Sequence, residues 1–393
     1  MKIGIVTYVK CDNYGAELQA FALQWKLNSL GYDAEVINLE KRNIDMKRNP
    51  DVIKGAIKQR FKKEGLKAFS SIFRKAMEVA TRMRNEKKYK EINEKKHLLF
   101  EQFFEDKVKH SAKYYSLDDI TSATDLPYDT YIAGSDQIWN YIHTDRLDVY
   151  FLMFANKYKA KKISYAASVS IYDIPEKLRA TYKTYFENID VLSVRELHGA
   201  DLVKKYSNKT AEVVLDPTFL LTKADWEREV AKDVKVDGDY LLIYTLSGSP
   251  HIRKMAWDIA KKLNLKVVNI KSGYKPEPND GTIHFYEIGP AEWVGLWAKA
   301  SYIVTASFHG TAFSINFNKP FTTLVNPNSM MNSRVLSILK IMNLESRIVY
   351  DSLEGKYEPS SLSVDFGPVN KTLGEWREKS MNFLLSALNS KLV

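Results

Sequence analysis

Short apolar runs alternate along this chain with stretches of 3.6-residue rhythm, the pattern of strands and helices taking turns. Residues 2–8 read as a buried strand, and Asn13, Tyr14 and Gly15 as the turn that ends it. Residues 16–30 follow as a helix with Leu18, Phe21, Ala22, Trp25 and Leu30 on one face and Gly31 as its stop signal. Residues 34–39 are the next strand. Strands are also predicted over 128–133, 162–168, 191–196 and 212–216, the last closing a first sheet before Pro217. The second half repeats the alternation. Strands are read at 240–246, 266–270, 302–304 and 321–325, with a short apolar piece at 283–288. Helices are read at 251–263, 290–300, 332–342 and about 373–388, and a short one follows residue 311.

This order predicts an α/β chain of two Rossmann-like domains facing each other across a cleft. The expected division is 1–220 for the first domain, 221–370 for the second, and 371–393 for a terminal helix that packs back on the body. The first turn is not GxGxxG and carries no dinucleotide signal. One region breaks the alternation. Residues of about 45–115 read as a helical insertion, with Phe61, Leu66, Phe69, Ile72, Phe73, Met77 and Val79 supplying apolar faces.

Charge sharpens the picture of that insertion. The net charge is +10, and residues 41–113 hold 22 Lys and Arg against 10 Asp and Glu, which is +12, so the remainder is close to neutral. The segment reads as a solvated helical insertion or as a patch for an anionic membrane surface or a phosphorylated lipid carrier. No nucleic-acid partner is expected. The single cysteine, Cys11, allows no internal disulfide, and nothing in the sequence marks an activating partner for it. No run reaches the roughly 18 apolar residues of a membrane span. The start, MKIGIVTYV, lacks the pattern of a secretory signal. A cytoplasmic location is expected, at most peripheral at the inner face of the plasma membrane.

Ligands of doubly wound sheets lie beyond the carboxyl ends of the strands, so the turns at Asn13, Gly134, Ser168, Arg195 and His309 should converge. His309 sits where the strand at 302–304 turns into a helix, and it can give or take a proton near neutral pH. No second His or Cys lies nearby in sequence to make it a metal ligand. Alone, it reads first as a satisfied histidine in a helix cap. Arg195 ends a strand where a helix begins, the position of an anion ligand or of an ordinary ion pair. Asp136 fits a helix cap, and Trp139 fits core packing or a sugar platform.

The stretches NYGAELQAFALQ, GSDQIWN, ISYAAS, SVRE, VLDPTFLL, SFHGTAFSINFNKPF and NSRVLSIL, spread over residues 7–339, together resemble the polysaccharide pyruvyl transferase family. The resemblance implies a fold like the GT-B glycosyltransferases. It also implies a reaction in which phosphoenolpyruvate gives a pyruvyl group to two hydroxyls of a sugar, forming a cyclic ketal and releasing phosphate. The acceptor would be a saccharide or lipid-linked saccharide, and no metal or organic cofactor is implied. A carboxylate and a phosphate call for Arg, Lys and N–H donors. Under this resemblance Arg195 takes a donor anion, with Arg334 and then Lys319 as further candidates. His309 becomes the general acid that protonates the methylene carbon. Ser307 and Thr311 hydrogen-bond phosphate, and Gly310 lets the backbone come close. Asn13, Asp136 and Gln137 hold the acceptor or supply its base, and Trp139 stacks on it.

The chain departs from the family pattern at Ala306, where many members carry an acidic residue, and at Ser307, where others carry Arg. Two alternatives stay open beside pyruvyl transfer: glycosyl transfer from a nucleotide sugar on the same architecture, and a catalytically impaired homologue that binds anions or glycans.

Overall fold

The structure, a computed structural model, describes residues 1–40, 86–246, 250–271, 279–326, 332–351 and 361–390. The apolar faces expected between Phe61 and Val79 lie outside the described residues. Of the insertion, the described part is a helix and one strand.

The first sheet holds β1 (Lys2–Val6), β2 (Asp33–Leu39), β3 (His110–Tyr115), β4 (Thr130–Ala133) and β5 (Lys161–Ser164), in the order β3-β2-β1-β4-β5. Its pairings are all parallel. A short ladder of β6 (Ser193–Val194) and β7 (Glu212–Val213) continues this edge through the bridges Ile163–Val191 and Ala167–Val194. The second sheet holds β8 (Tyr240–Tyr244), β9 (Lys266–Ile270), β10 (Ile283–Phe285), β11 (Tyr302–Thr305), β12 (Phe321–Val325) and β13 (Ile348–Tyr350), in the order β10-β9-β8-β11-β12-β13. Both sheets reverse strand order beside their first strand, between β1 and β4 and between β8 and β11. That reversal opens a crevice at the carboxyl ends, where the ligand of such a sheet sits.

The strands read as apolar runs because parallel strands are covered on both faces. Every residue of β4, β8, β11 and β12 is buried. The strand expected over 191–196 is a strand only at Ser193 and Val194, with Val191 joined by a single bridge. Arg195 and Glu196 leave the ladder, and Asp216 likewise lies past the end of β7.

The helices used below are labelled in chain order: α1 (Tyr14–Ser29), α2 (Glu86–Lys107), α3 (Leu197–Tyr206), α4 (Pro290–Lys299), α5 (Phe308–Asn316), α6 (Ser333–Ile341) and α7 (Phe366–Asn389). Helix α1 was expected to bury one face. It is buried on nearly every side, Glu17, Gln19 and Gln24 included, because the first sheet and the second lobe cover it from opposite directions. Leu30, assigned to its apolar face, lies past its end and is exposed.

The lobes meet in an aromatic seam. Tyr14 of α1 stacks on Trp293 of α4 at 5.7 Å between centroids, and Trp293 stacks on Trp297 at 4.0 Å. Phe313 of α5 stands edge-on to Trp293 at 4.8 Å, and Phe21 of α1 meets Trp226 at 5.8 Å. The Tyr14 hydroxyl donates to the Ile288 carbonyl at 3.0 Å. Such ring pairs add about 0.5–1.5 kcal/mol each beyond the area they bury.

The last helix starts at Phe366, earlier than its apolar pattern suggests, under an Asp365 cap that accepts from the Gly367 N–H. It crosses to the first lobe. Arg377 donates to the Phe219 carbonyl at 2.7 Å, and the Leu215 N–H donates to Ser380 at 2.9 Å. Lys161 donates to the carbonyls of Ala387 and Leu388 at the end of α7, where a cation meets the negative pole of the helix.

Candidate active site

Four strand ends of the first lobe and one of the second converge at the seam. After β1, Asn13 caps α1 by accepting from the Gly15 and Ala16 N–H groups at 3.0 and 3.4 Å. Gly15 then lies directly under the imidazole of His309: a Cβ built on it would stand 1.9 Å from Nδ1. After β4 comes Asp136 at φ 72°, a left-handed backbone held by the packed loop around it. After β6 comes Arg195, and after β7 comes Asp216.

Asp216 organises the group. Its Oδ1 accepts from the Thr218 N–H at 3.0 Å and the Thr218 hydroxyl at 2.7 Å. Its Oδ2 accepts from the Ser135 hydroxyl at 2.8 Å and Arg195 Nη1 at 2.7 Å, and faces His309 Nε2 at 3.8 Å. Burial pushes the Asp216 carboxyl up, but His309, Arg195 and Thr218 more than offset it, so the group is held far below the usual carboxylate range. Asp136 is lowered in the same way: burial opposes ionisation, and Arg195, His309 and Arg334 prevail. Arg195 lies with its guanidinium over the Phe308 ring at 4.2 Å and has Asp136 Oδ1 at 3.5 Å from Nη2. Arg334 of α6 has its hold on a proton weakened to about 10 by burial and by the neighbouring Arg195.

Four donor atoms here are buried and make no hydrogen bond: Arg195 Nε and Nη2, His309 Nε2 and Arg334 Nε. Unpaired buried donors are costly, on the order of 1–3 kcal/mol each and more when charged. Two arginines and an imidazole with spare N–H groups at a strand-end crevice have the chemistry to hold a compact anion. Among the described residues, no group of three or more His, Cys, Asp or Glu side chains is placed to hold a metal ion.

The structure thus brings together Asp136, Arg195, His309 and Arg334, with Asn13 and Gln137 on the adjoining loops. It draws other candidates elsewhere. Trp139 is fully buried, stacked on Phe151 at 4.4 Å, with its N–H given to the Tyr150 carbonyl, so protein covers the ring and no sugar can reach it. Lys319 lies past the far end of α5, where its charged neighbours are Lys223 and Glu227. The Thr311 hydroxyl donates to the Ser307 carbonyl at 3.0 Å, and the Ser307 hydroxyl caps α5 by accepting from the Gly310 N–H at 3.4 Å. Both are engaged in the turn that carries His309. Gly310 is required because a Cβ there would meet Thr305 Oγ1 at 2.2 Å, so it admits the protein's own strand rather than a ligand. Arg195 is 4% exposed, which rules out the surface ion pair.

Asp216 and Glu196 were missed as site residues although both stood in motifs. A carboxylate at the end of a parallel strand, just before Pro217, was the available signal. Asp216 also bears on the departure at Ala306. The carboxylate facing the imidazole comes from the β7 end, while Ala306 packs beside the core of the second sheet.

A further buried acid lies on α1. Glu17 is fully buried, its Oε1 accepts from the Cys11 N–H at 3.3 Å, and burial raises its carboxyl to about 8 against the pull of the Cys11 and Lys10 N–H groups. Burial and Glu17 likewise push the Cys11 thiol up, so Cys11 stays protonated and is a poor nucleophile. A raised carboxyl pKa means that the folded state holds the proton longer than the unfolded state. Stability from this group is therefore lost as pH rises from about 4.5 to about 8. Glu17→Gln should remove that slope and make the protein more stable than wild type at pH 8 by on the order of 2–4 kcal/mol. Denaturant midpoints at pH 5 and pH 8 check this, and an equal difference between the two proteins at both pH values refutes it.

Among the described residues, no helix is long and apolar enough to cross a membrane. The sequence model of a family described as polysaccharide pyruvyl transferase matches residues 13–328. Among solved structures, the fold is similar to a Listeria monocytogenes protein assigned as a UDP-N-acetylglucosamine 2-epimerase, with TM-score 0.55, 8% identity, and 100% of this chain and 97% of that one covered. It is also similar to the UDP-GlcNAc 2-epimerase of Methanocaldococcus jannaschii, with TM-score 0.50, 11% identity, and 100% and 94% covered. These likenesses show a GT-B-like fold. No curated protein sequence matches significantly.

Proposed function

Because the chain belongs to the polysaccharide pyruvyl transferase family, we infer that its cleft moves a pyruvyl group from phosphoenolpyruvate to two hydroxyls of a sugar. The product is a cyclic ketal on a glycan or lipid-linked glycan precursor, and phosphate leaves. The observation that carries this reading is the set of buried donors of Arg195, Arg334 and His309 that make no hydrogen bond at the interlobe crevice. Phosphoenolpyruvate presents a carboxylate and a phosphate on a three-carbon frame, a match in charge and size to two arginines and an imidazole.

The His309 imidazole protonates the methylene carbon, which makes the neighbouring carbon electrophilic. Arg195, fixed by Asp216 and Asp136, holds one anionic group of the donor, and Arg334 the other. Asp216, 3.8 Å from Nε2, keeps the imidazole oriented. Asn13 and Gln137 line the acceptor side. The basic excess over residues 41–113 supports docking at an anionic membrane surface, where a lipid-linked acceptor would be found.

The test is incubation with phosphoenolpyruvate and a panel of lipid-linked saccharides, with and without anionic vesicles. Phosphate release is followed, and the acceptor is examined by mass spectrometry. Acceptor-dependent phosphate and a ketal-bearing product are expected. Release of a nucleoside diphosphate from a nucleotide sugar, with no phosphate from phosphoenolpyruvate, would instead identify a glycosyltransferase.

A further inference from the structure

The donor pocket accounts for the spare N–H groups of Arg195, Arg334 and His309 but leaves one buried acid unexplained. Glu196 stands at the N-cap position of α3, yet its side chain does not cap that helix. It turns back to the loop after β5. Its Oε1 accepts three hydrogen bonds there, from the Ser168 hydroxyl and the Val169 N–H at 2.9 Å and from the Ser170 N–H at 3.0 Å. Its Oε2 is buried and has no partner. On the same loop, the Ser170 hydroxyl is also buried and unpartnered, and Ser170 is held at φ 50°. The two residues are 1% and 2% exposed. Glu196 is close enough to Arg195 and Arg334 to strengthen the hold of both on their protons.

A buried carboxylate with one oxygen saturated and the other free is a built acceptor for an O–H group. The other acids of the cleft are engaged. Asp216 accepts from Arg195, Ser135 and Thr218, while Asp136 accepts from the Gln137 N–H and faces Arg195. Resting on the pyruvyl-transfer reading, we propose that Glu196 Oε2 is the base for an acceptor sugar hydroxyl, with the Ser170 hydroxyl as the second contact to that same oxygen.

The chemistry balances. The hydroxyl gives its proton to Glu196 and its oxygen bonds to the central carbon of the donor, while the double-bond pair takes a proton from His309. The carbon–oxygen bond to phosphate then breaks, the pair leaving with phosphate, and the second hydroxyl closes the ketal. Of the two protons that the hydroxyls release, one replaces that spent by His309 on the new methyl group and the other leaves on phosphate. The sugar therefore meets the loops after β5 and β6, which carry Ser170 and Glu196.

Glu196→Gln separates this role from loop support, because the amide oxygen can accept the same three hydrogen bonds. The variant should bind phosphoenolpyruvate within about twofold of wild type by calorimetry and lose about 10²-fold in acceptor-dependent phosphate release. Ser170→Ala should raise the acceptor KM about tenfold, equivalent to one lost hydrogen bond of about 1.4 kcal/mol, with the phosphoenolpyruvate KM unchanged. Turnover by Glu196→Gln within threefold of wild type overturns the assignment. If that variant fails to fold, an unchanged acceptor KM in Ser170→Ala overturns it. If wild type itself releases no phosphate from phosphoenolpyruvate with any acceptor, the reading of the reaction has failed instead.

Discussion

Glutamine in place of His309 is expected to slow acceptor-dependent phosphate release about 10³-fold while leaving phosphoenolpyruvate affinity within a few-fold of wild type. The imidazole is fixed on two sides. Gly15 lies against Nδ1, and Asp216 faces Nε2 at 3.8 Å. Glutamine fills much of the same space and can still donate an N–H to the bound anion, but it cannot hand over a proton at neutral pH. A loss confined to turnover identifies a group that acts in the transition state rather than in binding. Steady-state phosphate release alongside calorimetric binding of phosphoenolpyruvate checks this. Turnover within tenfold of wild type would remove His309 from the chemistry.

The second large effect comes from a single methyl group. Gly15→Ala would place a Cβ 1.9 Å from His309 Nδ1, 2.4 Å from Cγ and 2.5 Å from Cε1, closer than any real contact. The ring or the start of α1 must then move by an ångström or more. Such a displacement of an acting group costs about 10²-fold in rate, and overpacking costs about 1–3 kcal/mol in stability. The expected result is a protein that folds, melts earlier and turns over about 10²-fold more slowly. Combining Gly15→Ala with His309→Ala tests the cause. The double variant should recover most of the lost stability, and Gly15→Ala should cost no further activity in that background. Independent, additive effects would mean that the two residues do not meet.

The alternation of strands and helices was legible because parallel strands buried on both faces leave short apolar runs bounded by turn residues. For the same reason the turns at Asn13, Asp136, Arg195 and His309 could be assigned to one edge. Pattern could not distinguish a residue at that edge from one folded under it. Trp139 follows Asp136 by three positions, yet it stacks inside the first lobe, because the loop after β4 turns back under its own sheet. Lys319 closes the motif that contains His309, but a helix separates them, and the two ends of a helix face different solvent. Ser307 and Thr311 are hydroxyls in the right turn whose hydrogen bonds the turn itself consumes. Position 306, where many family members carry an acid, is Ala306 here. The carboxylate that faces His309 is that of Asp216, more than ninety residues away, because two lobes meeting across a crevice pair residues that no local spacing relates.

The aromatic seam has a kinetic consequence. With Tyr14, Phe21, Trp226, Trp293 and Phe313 interleaved, the lobes are riveted together, and the swing that many two-lobed enzymes use to shut out water would have to pull these rings apart. Dehydration of the pocket then falls to the reactants. Under the proposed reaction the small anion would settle at the bottom first and the larger saccharide would arrive as its stopper, which makes the sequence of arrival compulsory. Product-inhibition patterns should be those of an ordered mechanism with phosphoenolpyruvate leading, and random-order patterns would show that the rivet gives way.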